Sequence, residues 1–373
     1  MTSDLDSLFS GDDKGTLRMF AMLRDPNVSQ ICINRHDRII YWDQGGQRLV
    51  NDLVFPGPTQ YIAWLDQLLD LTDSEYQQVA GARVSVIEAS FRPDRTEVHG
   101  SVHIATSEVT RGEPALTIRK QPRNFVRLDD MLRSGMMNTE MRMFLQQAVH
   151  GRLNLVISGG SGAGKTTLAR ALSDYVDPVN RVITVEEIDE LHLDEKLPNI
   201  VSLISYRSRD EEGRLVRETT MEELVREALR MRGDRIWVGE TRGREAYALT
   251  KACNSGHDGS ITTVHADNGP QAVRQLVTYV MESGVTEQVA REQVSRAFHL
   301  VVQVGKEKMG RRVIREITEL EPVLEGAQQR SSTIFAYDSS RESFVTVGRP
   351  SRRLAEAMAR YGVNFDDYTP RLG

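Results

Sequence analysis

The pattern of apolar and polar residues changes about a third of the way along this 373-residue chain. Up to residue 121, strand-like segments alternate with two segments whose apolar residues recur at helical spacing. The helical segments are 17–23, which ends at Asp25-Pro26, and "YIAWLDQLLDL". The strand segments are "VSQICIN", "RIIYW", "VSVIEASF", "EVHGSVHIA" and "ALTIRK". We therefore expect an N-terminal α+β domain over 15–121, after a disordered start at 1–14.

After residue 140 the pattern becomes strand, loop and helix. Uninterrupted apolar runs separated by helices predict parallel strands that are covered on both faces. The runs are "LNLVISG", "RVITVEE", "RIWVGE", "SITTVHA" and "HLVVQVG". We expect a linker over 122–140, an α/β domain with a mostly parallel sheet over 141–323, and a C-terminal appendage over 324–373. The appendage is predicted to hold a hairpin, "TIFAYD…SFVTVG", and a final helix, "SRRLAEAMARYG".

Composition narrows the class of protein without naming a function. The chain is 39% hydrophobic and 27% charged, which is ordinary for a folded domain. Its net charge of −6 argues against non-specific nucleic-acid binding as the main activity. Two cysteines cannot build a disulfide framework, the acidic N-terminus is unlike a signal peptide, and no run approaches the ~18 apolar residues of a membrane span. We expect a cytoplasmic protein that reaches a membrane only through partners.

The segment "LVISGGSGAGKTT" fits the phosphate-loop pattern G-x-x-x-x-G-K-[ST], with the strand before it and the helix after it that this motif requires. Its glycines let backbone N–H groups converge on phosphate oxygens at a helix N-terminus. The lysine would reach the β- and γ-phosphates of ATP, and the first threonine would bind Mg²⁺. The predicted nucleotide-binding residues are Gly159, Gly160, Ser161, Gly162, Ala163, Gly164, Lys165, Thr166 and Thr167.

Carboxylates follow two of the predicted strands. Glu240 ends "RIWVGE", and "ITVEEIDEL" brings Glu186, Glu187, Asp189 and Glu190. Carboxyl ends of parallel strands lie beside the phosphate loop in such a sheet. Glu240 is therefore a candidate Mg²⁺ ligand, directly or through water, and one acid of the cluster is a candidate for activating water. The alternative is a solvated turn whose acids favour a helix N-terminus.

The segment "ACNSGHDGSITTVHADN" has two functional interpretations, besides a purely structural role for its histidines. Cys253, His257 and His265 follow a C-x3-H-x7-H spacing, which as a zinc site would need a fourth ligand and converging ring nitrogens. Alternatively, His265 ends a strand beside the one that carries Glu240. On this second interpretation, which we favour, both histidines face the phosphates and hydrogen-bond to the γ-phosphate or to the catalytic acids.

The four motifs together resemble the ATPase superfamily of type II and type IV secretion systems. Their order is that of the family's phosphate loop, acidic Asp box, Walker B strand and His box. The C-terminal region from "GRRVIREITELEPV" onward is similar to that of tight-adherence (Flp) pilus ATPases. The resemblance implies a RecA-like P-loop domain, a homohexameric ring, and ATP held between two domains near a neighbouring subunit. Hydrolysis would drive pilus assembly or protein secretion at the bacterial inner membrane.

The resemblance also implies roles for single residues. Glu190 matches the Asp-box glutamate that serves as catalytic base, and Glu186 precedes it in the same box. Glu240 matches the Walker B acid. His257 and His265 match the two His-box histidines, with the second nearest the γ-phosphate. With Lys165, these are the residues expected to carry catalysis.

Arginines are expected to contact the nucleotide from two places. Arg119 matches an arginine of the family's N-terminal domain, and Arg242 follows the Walker B strand in a family position. A second N-terminal arginine has no clear match. Arg95, Arg111 and Arg133 all remain candidates for it.

The favoured interpretation is a ring-forming ATPase motor that binds ATP and Mg²⁺. Its expected partners are copies of itself and inner-membrane platform proteins, with no sequence-specific nucleic acid and only peripheral membrane association. The first alternative is a conjugative DNA-transfer ATPase of a type IV secretion system. A P-loop small-molecule kinase and a nucleotide-sensing module without turnover are the others.

Overall fold

The fold is that of a computed structural model, and it divides into two compact units. One comprises Met1–Asn124 with Arg207–Glu218, and the other comprises Phe125–Tyr206 with Thr219–Gly373. The start at 1–14, predicted to be disordered, lies outside the described residues. The structure describes residues 19, 21–43, 46–50, 55–74, 78–79, 85–91, 96, 98, 100–110, 112–120, 126–209, 215–307, 310–323 and 330–364.

The secondary structure of the described residues is as follows. The strands are β1 (Gln30–Arg35), β2 (Arg38–Asp43), β3 (Gly46–Val50), β4 (Val86–Ser90), β5 (Gly100–Ala105), β6 (Ala115–Lys120), β7 (Leu155–Ser158), β8 (Val182–Glu186), β9 (Ile200–Ile204), β10 (Tyr206–Arg209), β11 (Leu215–Thr219), β12 (Arg235–Val238), β13 (Ile261–Val264), β14 (Leu300–Lys306), β15 (Arg312–Leu320), β16 (Ser331–Asp338) and β17 (Ser343–Thr346). The helices are α1 (Pro58–Leu69), α2 (Ser107–Thr110), α3 (Leu128–Arg133), α4 (Thr139–His150), α5 (Lys165–Leu172), α6 (Met221–Ala228), α7 (Glu245–Asn254), α8 (Gly269–Met281), α9 (Glu287–Ala297) and α10 (Arg352–Ala359).

The first unit is built on an antiparallel sheet. Its strand order is β3-β2-β1-β6-β5-β4, so β1 and β6 lie at the centre. Alternate residues of β1, Ile31 and Ile33, are fully buried, as the period-two pattern of its sequence predicts. They share a core with Tyr61, Trp64 and Leu65 of α1. The predicted α+β architecture is confirmed.

The second unit is built on a nine-stranded sheet of order β17-β16-β15-β14-β7-β13-β12-β8-β9. The six strands from β14 to β9 are parallel, and β15, β16 and β17 add an antiparallel meander beside β14. The five apolar runs of the sequence are β7, β8, β12, β13 and β14. The predicted α/β domain with a mostly parallel sheet is confirmed.

Helices cover both faces of this sheet. One apolar core joins the sheet to α3, α4, α5 and α10, and a second core on the other face joins it to α6, α7, α8 and α9. All four residues of β7 are buried as a result. Burial on both faces explains why the strand sequences are continuous apolar runs and do not alternate with polar residues.

The segment expected to be a linker differs from its prediction over 128–140. These residues form α3 and the start of α4, and Met131, Met136 and Met137 are buried in the core of the second unit. The mixture of proline, charge and methionine had suggested a linker, but the methionines supply apolar side chains that pack against the sheet. The second unit therefore begins earlier than the predicted 141.

The C-terminal appendage contains the predicted hairpin and helix. The hairpin is β16–β17, which pairs with β15 and so continues the sheet of the second unit. Helix α10 packs Leu354 and Met358 into the same core as the phosphate-loop helix α5. Residues 330–364 are therefore an integral part of the second unit.

The described helices are short. The longest, α8, has 13 residues. Within the described residues, no helix combines the length and the apolar character that crossing a membrane requires.

Candidate active site

The phosphate loop runs from the carboxyl end of β7 to the first turn of α5. Gly164 is the N-cap of α5 and has a φ of 100°, in the left-handed region that favours glycine. Its carbonyl accepts the first helical hydrogen bond, from Leu168 N at 2.9 Å. The unpaired N–H groups of the first helical turn therefore face the loop, as anion binding requires.

Lys165 lies over this loop. Its side chain is almost fully buried, with 7% exposed. The ammonium nitrogen donates to the carbonyl oxygens of Gly159, at 2.9 Å, and Gly160, at 3.3 Å. It also lies 3.4 Å from Nε2 of His265. A positive charge is thus held at the centre of the predicted phosphate site.

A chain of charged groups leads away from Lys165 along the edge of the sheet. Nε2 of His265, which follows β13, lies 3.0 Å from Oε1 of Glu240, which follows β12. The other oxygen of Glu240 accepts from Arg242 Nη2 at 2.5 Å, and Arg242 Nη1 lies 3.6 Å from Glu187 Oε2. The hydrogen bond with Glu240 raises the pKa of the Arg242 guanidinium. The ends of β13, β12 and β8 are thereby connected to the phosphate loop.

The four acids at the end of β8 and just after it have different surroundings. Glu187 is exposed beside Arg242, and Glu186 is buried. Asp189 pairs with His192 Nδ1 at 3.3 Å; burial would raise the pKa of Asp189, but the hydrogen bond and charge of His192 outweigh burial and lower it. Glu190 is the acid beside the loop.

Glu190 meets the first residues of α5. The hydroxyl of Thr166 donates to Oε2 of Glu190 at 3.3 Å. Both side chains carry oxygen atoms, the ligand atoms that Mg²⁺ prefers. Mg²⁺ is commonly held by one or two side chains together with substrate phosphates. Among the described residues no three His, Cys, Asp or Glu side chains are grouped as metal ligands. Thr166 fits such a minimal site. Glu240, the other predicted ligand, accepts from Arg242 with one oxygen, while its Oε1 is buried without a hydrogen bond to a described residue, 3.0 Å from Nε2 of His265, and its role as a Mg²⁺ ligand stays a prediction.

Glu186 is the buried acid of this group, and the catalytic role expected for it from the sequence stays a prediction. Its side chain is 2% exposed, and Oε1 accepts from the backbone N–H groups of Glu190, at 3.2 Å, and Leu191, at 3.1 Å. Burial, reinforced by the charges of Asp189 and Glu190, raises the pKa of Glu186 well above its usual range. A Cβ at Gly239 would lie 2.7 Å from Oε1, so a larger residue there would displace the Glu186 side chain. Through these two hydrogen bonds, the buried Glu186 side chain holds the backbone at Glu190 and Leu191 in place.

We expect Glu186→Gln to become more stable relative to the wild type as pH rises. Because the pKa of Glu186 is raised in the fold, the stability that comes from its neutral form is complete below about 4.5, the usual glutamate value, and is lost as pH rises through the raised pKa. Glutamine keeps the accepting oxygen and cannot ionise. Thermal unfolding of both proteins from about pH 4.5 upward checks this. Glu187→Gln, an exposed neighbour, is the control; an unchanged difference between Glu186→Gln and the wild type would contradict the account.

The two histidines do not lie together, which differs from the expectation that both face the phosphates. His257 precedes β13 and His265 follows it, and this strand spans about 13 Å at 3.3 Å per residue. Nδ1 of His257 lies 3.2 Å from the carbonyl oxygen of Ala252, in α7. Within one chain, His265 therefore joins the phosphate-loop group and His257 lies at the opposite edge of the sheet.

Cys253, the third residue of the possible zinc site, lies in a helix. It is buried in α7, within the core between α6, α8 and α9. Burial raises the pKa of its thiol to about 12. The zinc alternative requires Cys253 to converge with both His257 and His265, but β13 lies between the two histidines, and the described residues include no group of three such side chains placed to hold a metal.

The predicted arginines fall into three groups. Arg119 lies on β6 with its side chain on the exposed face of the first unit, and its contact with a nucleotide stays a prediction. Arg133 is exposed on α3, where it pairs with Asp130. Arg95 and Arg111 lie outside the described residues. The identity of the second nucleotide-facing arginine therefore stays a prediction as well.

Two polar residues that the sequence analysis did not single out hold the loop after His265. Gln303 is buried in β14 and donates to the carbonyl of Ala266 at 3.1 Å. Glu316 of β15 accepts from the N–H of Gly269 at 2.9 Å. The signal was present in "HLVVQVG", because a glutamine inside a buried apolar strand must have a hydrogen-bonding partner.

Comparison with known proteins identifies the family. The model of the family described as type II/IV secretion system protein matches residues 96–306. Conjugal transfer protein TrbB of Rhizobium radiobacter is 35% identical over 309 residues, which is 80% of this chain and 85% of that protein. An uncharacterized protein of Methanocaldococcus jannaschii is 35% identical over 202 residues, but the chain spans only 27% of its length and 53% of this chain is aligned.

Among solved structures, the ATPase DotB of Legionella pneumophila shares the fold. The TM-score is 0.53 at 19% identity, and the match covers 83% of this chain and 82% of that one. The fold and the family match agree with the resemblance stated from the sequence. This chain belongs to the type II/IV secretion system protein family.

Proposed function

We propose that this chain hydrolyses ATP and uses the energy to drive pilus assembly or protein secretion. The observation that carries the proposal is the meeting of Lys165, Thr166, Glu190, Glu240 and His265 at the carboxyl ends of adjacent strands. A phosphate loop beside a half-buried carboxylate is the arrangement that phosphoryl transfer to water needs. Family membership, shown by the match over 96–306, supports the same activity.

In the proposed reaction the β- and γ-phosphates lie on the loop under the ammonium of Lys165. Glu190 orients a water molecule and takes its proton as the water oxygen bonds to the γ-phosphorus. The bond from that phosphorus to the bridging oxygen breaks, and ADP and phosphate are released. Thr166, with Glu240 as the carboxylate ligand expected from the sequence, would hold Mg²⁺, which would neutralise charge on the phosphate oxygens and leave Glu190 to act as the base. Lys165 stabilises the charge that builds on the leaving oxygens.

His265 is placed to report whether the γ-phosphate is present. Its ring lies between the ammonium of Lys165 and the carboxylate of Glu240, so it can hydrogen-bond with either a phosphate or an acid. Loss of the γ-phosphate would leave the contact with Glu240, and through it Arg242. In this way the presence or absence of the γ-phosphate would change the contacts of Glu240 and Arg242, which follow β12.

The finer assignments are a homohexameric ring and a machine at the inner membrane, of pilus or secretion type. In a ring, a neighbouring chain would supply the contacts of His257, which lies away from the Lys165 group of its own chain. Peripheral association with the membrane would come through platform proteins. Arg119 and Arg242 would complete the charge around the nucleotide.

A second candidate, conjugative DNA transfer, is favoured by the similarity to a conjugal transfer protein over 80% of this chain. It requires contact with DNA, which would weaken steeply with added salt because counterions are released on binding. A motor for pilus assembly or secretion requires no such contact.

Phosphate release and particle mass test the proposal together. Purified protein with ATP and Mg²⁺ and no acceptor is expected to release phosphate, and its mass with ATP is expected to be about six times that of the chain. Thr166→Ala should release far less phosphate. Phosphate release that requires a small-molecule acceptor would indicate a kinase instead. Salt-sensitive binding of duplex or single-stranded DNA would favour the conjugative alternative.

A further inference from the structure

The phosphate loop has different neighbours on its two sides. On one side of β7 lie β13, β12 and β8, which carry His265, Glu240 and the Glu190 segment. On the other side lie β14 and its antiparallel partner β15. All the acids of the proposed site are on the first side. The β14–β15 pair contributes cations.

Two cations from this pair converge on one residue of the loop. Nε of Arg312, the first residue of β15, donates to the carbonyl oxygen of Gly162 at 3.2 Å. Nζ of Lys306, the last residue of β14, would lie 3.0 Å from a Cβ placed at Gly162. The Arg312 side chain also passes 3.3 Å from a Cβ placed at Gly164. Both side chains thus border the loop just before Lys165.

The neighbours of these cations are paired with acids, and the cations themselves are not. Arg315 lies 3.1 Å from Glu307, and Arg311 contacts the Tyr337 hydroxyl and lies 3.8 Å from Glu342. Within the described part of the chain, Lys306 Nζ and the two terminal nitrogens of Arg312 make no hydrogen bond or ion pair, and both side chains are exposed. Their charge is available to an anion on the loop.

The position of Glu190 indicates which part of a bound nucleotide would lie near Lys306 and Arg312. Hydrolysis requires the γ-phosphate to lie on the side of Glu190 and Thr166. A triphosphate crosses the loop, so its α-phosphate and nucleoside lie towards the opposite side, where β14 and β15 end. Two cations there would attract phosphate oxygens without touching the bond that breaks.

We propose that Lys306 and Arg312 bind the α-phosphate of the nucleotide and that Arg312 also holds the loop through Gly162. The inference rests on the proposed function, since it assumes a nucleotide on the loop. These residues bind the nucleoside end of ATP and ADP equally. They set affinity, whereas Glu190 and His265 act at the γ-phosphate.

Titration calorimetry with ADP and with a non-hydrolysable ATP analogue tests this in the full chain. The double variant Lys306→Gln, Arg312→Gln is expected to bind both nucleotides about tenfold more weakly, which corresponds to about 1.4 kcal/mol, with their ratio unchanged. Arg311→Gln, one residue away and facing Tyr337, is the matched control. Arg312→Lys keeps the charge and should recover part of the affinity.

Two outcomes overturn the inference: unchanged affinity of the double variant for ADP, or a loss confined to the ATP analogue. Lys165→Ala in the same titrations separates this from a failure of the proposed function. If Lys165→Ala binds ADP as well as wild type, no nucleotide occupies the loop and the proposed function itself is wrong. If Lys165→Ala loses ADP and the double variant keeps it, only the α-phosphate assignment is wrong. Because both residues are exposed, thermal unfolding of the double variant should match that of the wild type.

Discussion

Replacing Lys165 with alanine is expected to lower nucleotide affinity at least about a hundredfold, or about 2.7 kcal/mol, and to stop ATP turnover. The reason is its place in the structure. The ammonium is almost buried at the centre of the loop, where charge-assisted hydrogen bonds are each worth about 1.5–3 kcal/mol. Titration with ADP and a phosphate-release assay measure the two effects.

Lys251→Ala is the matched control for this prediction. The chain has only seven lysines, and Lys251 is an exposed one on α7, where it stacks on Tyr247. We expect the control to bind and turn over ATP as the wild type does. Equal affinities of the Lys165 and Lys251 variants for ADP would contradict the placement of the phosphates.

Glu190→Gln is expected to reduce turnover by about 10²–10⁴-fold, the usual contribution of a general base, while nucleotide affinity changes little. Glutamine keeps the oxygen that accepts from the Thr166 hydroxyl, so the loop contact survives and only the proton-accepting capacity is lost. Single-turnover phosphate release and ADP titration on the same preparation separate chemistry from binding.

Asp194→Asn controls for the loss of a negative charge in the same connection between β8 and β9. Asp194 is exposed and has no part in the proposed site. Its variant should retain full turnover. If Glu190→Gln also retains it, another group activates the water and the assignment of the base is wrong.

Much of the fold followed from patterns of apolar residues, because burial leaves a direct signature in sequence. The buried strands β7 and β13 are short runs bounded by loop residues, and the mostly parallel sheet was predicted, although its edge strand β9 was not. The linker over 122–140 was wrong where methionines pack into the core, since methionine-rich segments carry no clear periodicity. The two-stranded sheet of β10 and β11 was not predicted either. Its exposed Leu215 and Val216 do not alternate with polar residues.

The site residues could be predicted where the residue type alone indicates the chemistry. They were harder to predict where the role of a residue depends on its position in the fold. A phosphate loop of nine residues carries its own structural context, so Lys165 and Thr166 were identified without the structure. Glu186 and Glu190 are the same residue type four positions apart. Only the structure separates the buried one, whose oxygen holds backbone N–H groups, from the half-buried one beside Thr166.

Contacts between segments that are distant in the chain could not be predicted from the sequence. Lys306 and Arg312 border the loop because β14 lies beside β7, and Gln303 reaches Ala266 for the same reason. Nothing in the spacing of these residues indicates this neighbourhood. The separation of His257 from His265, in contrast, could have been inferred, because the predicted strand "SITTVHA" lies between them.

The most direct test of the central claim is an experimental structure of the full chain with Mg²⁺ and a non-hydrolysable ATP analogue. We predict that the γ-phosphate lies within hydrogen-bonding distance of Lys165 Nζ, and that Glu190 is the carboxylate nearest to it, directly or through one water. A nucleotide bound elsewhere, or a γ-phosphate whose nearest carboxylate is one other than Glu190, would contradict the account.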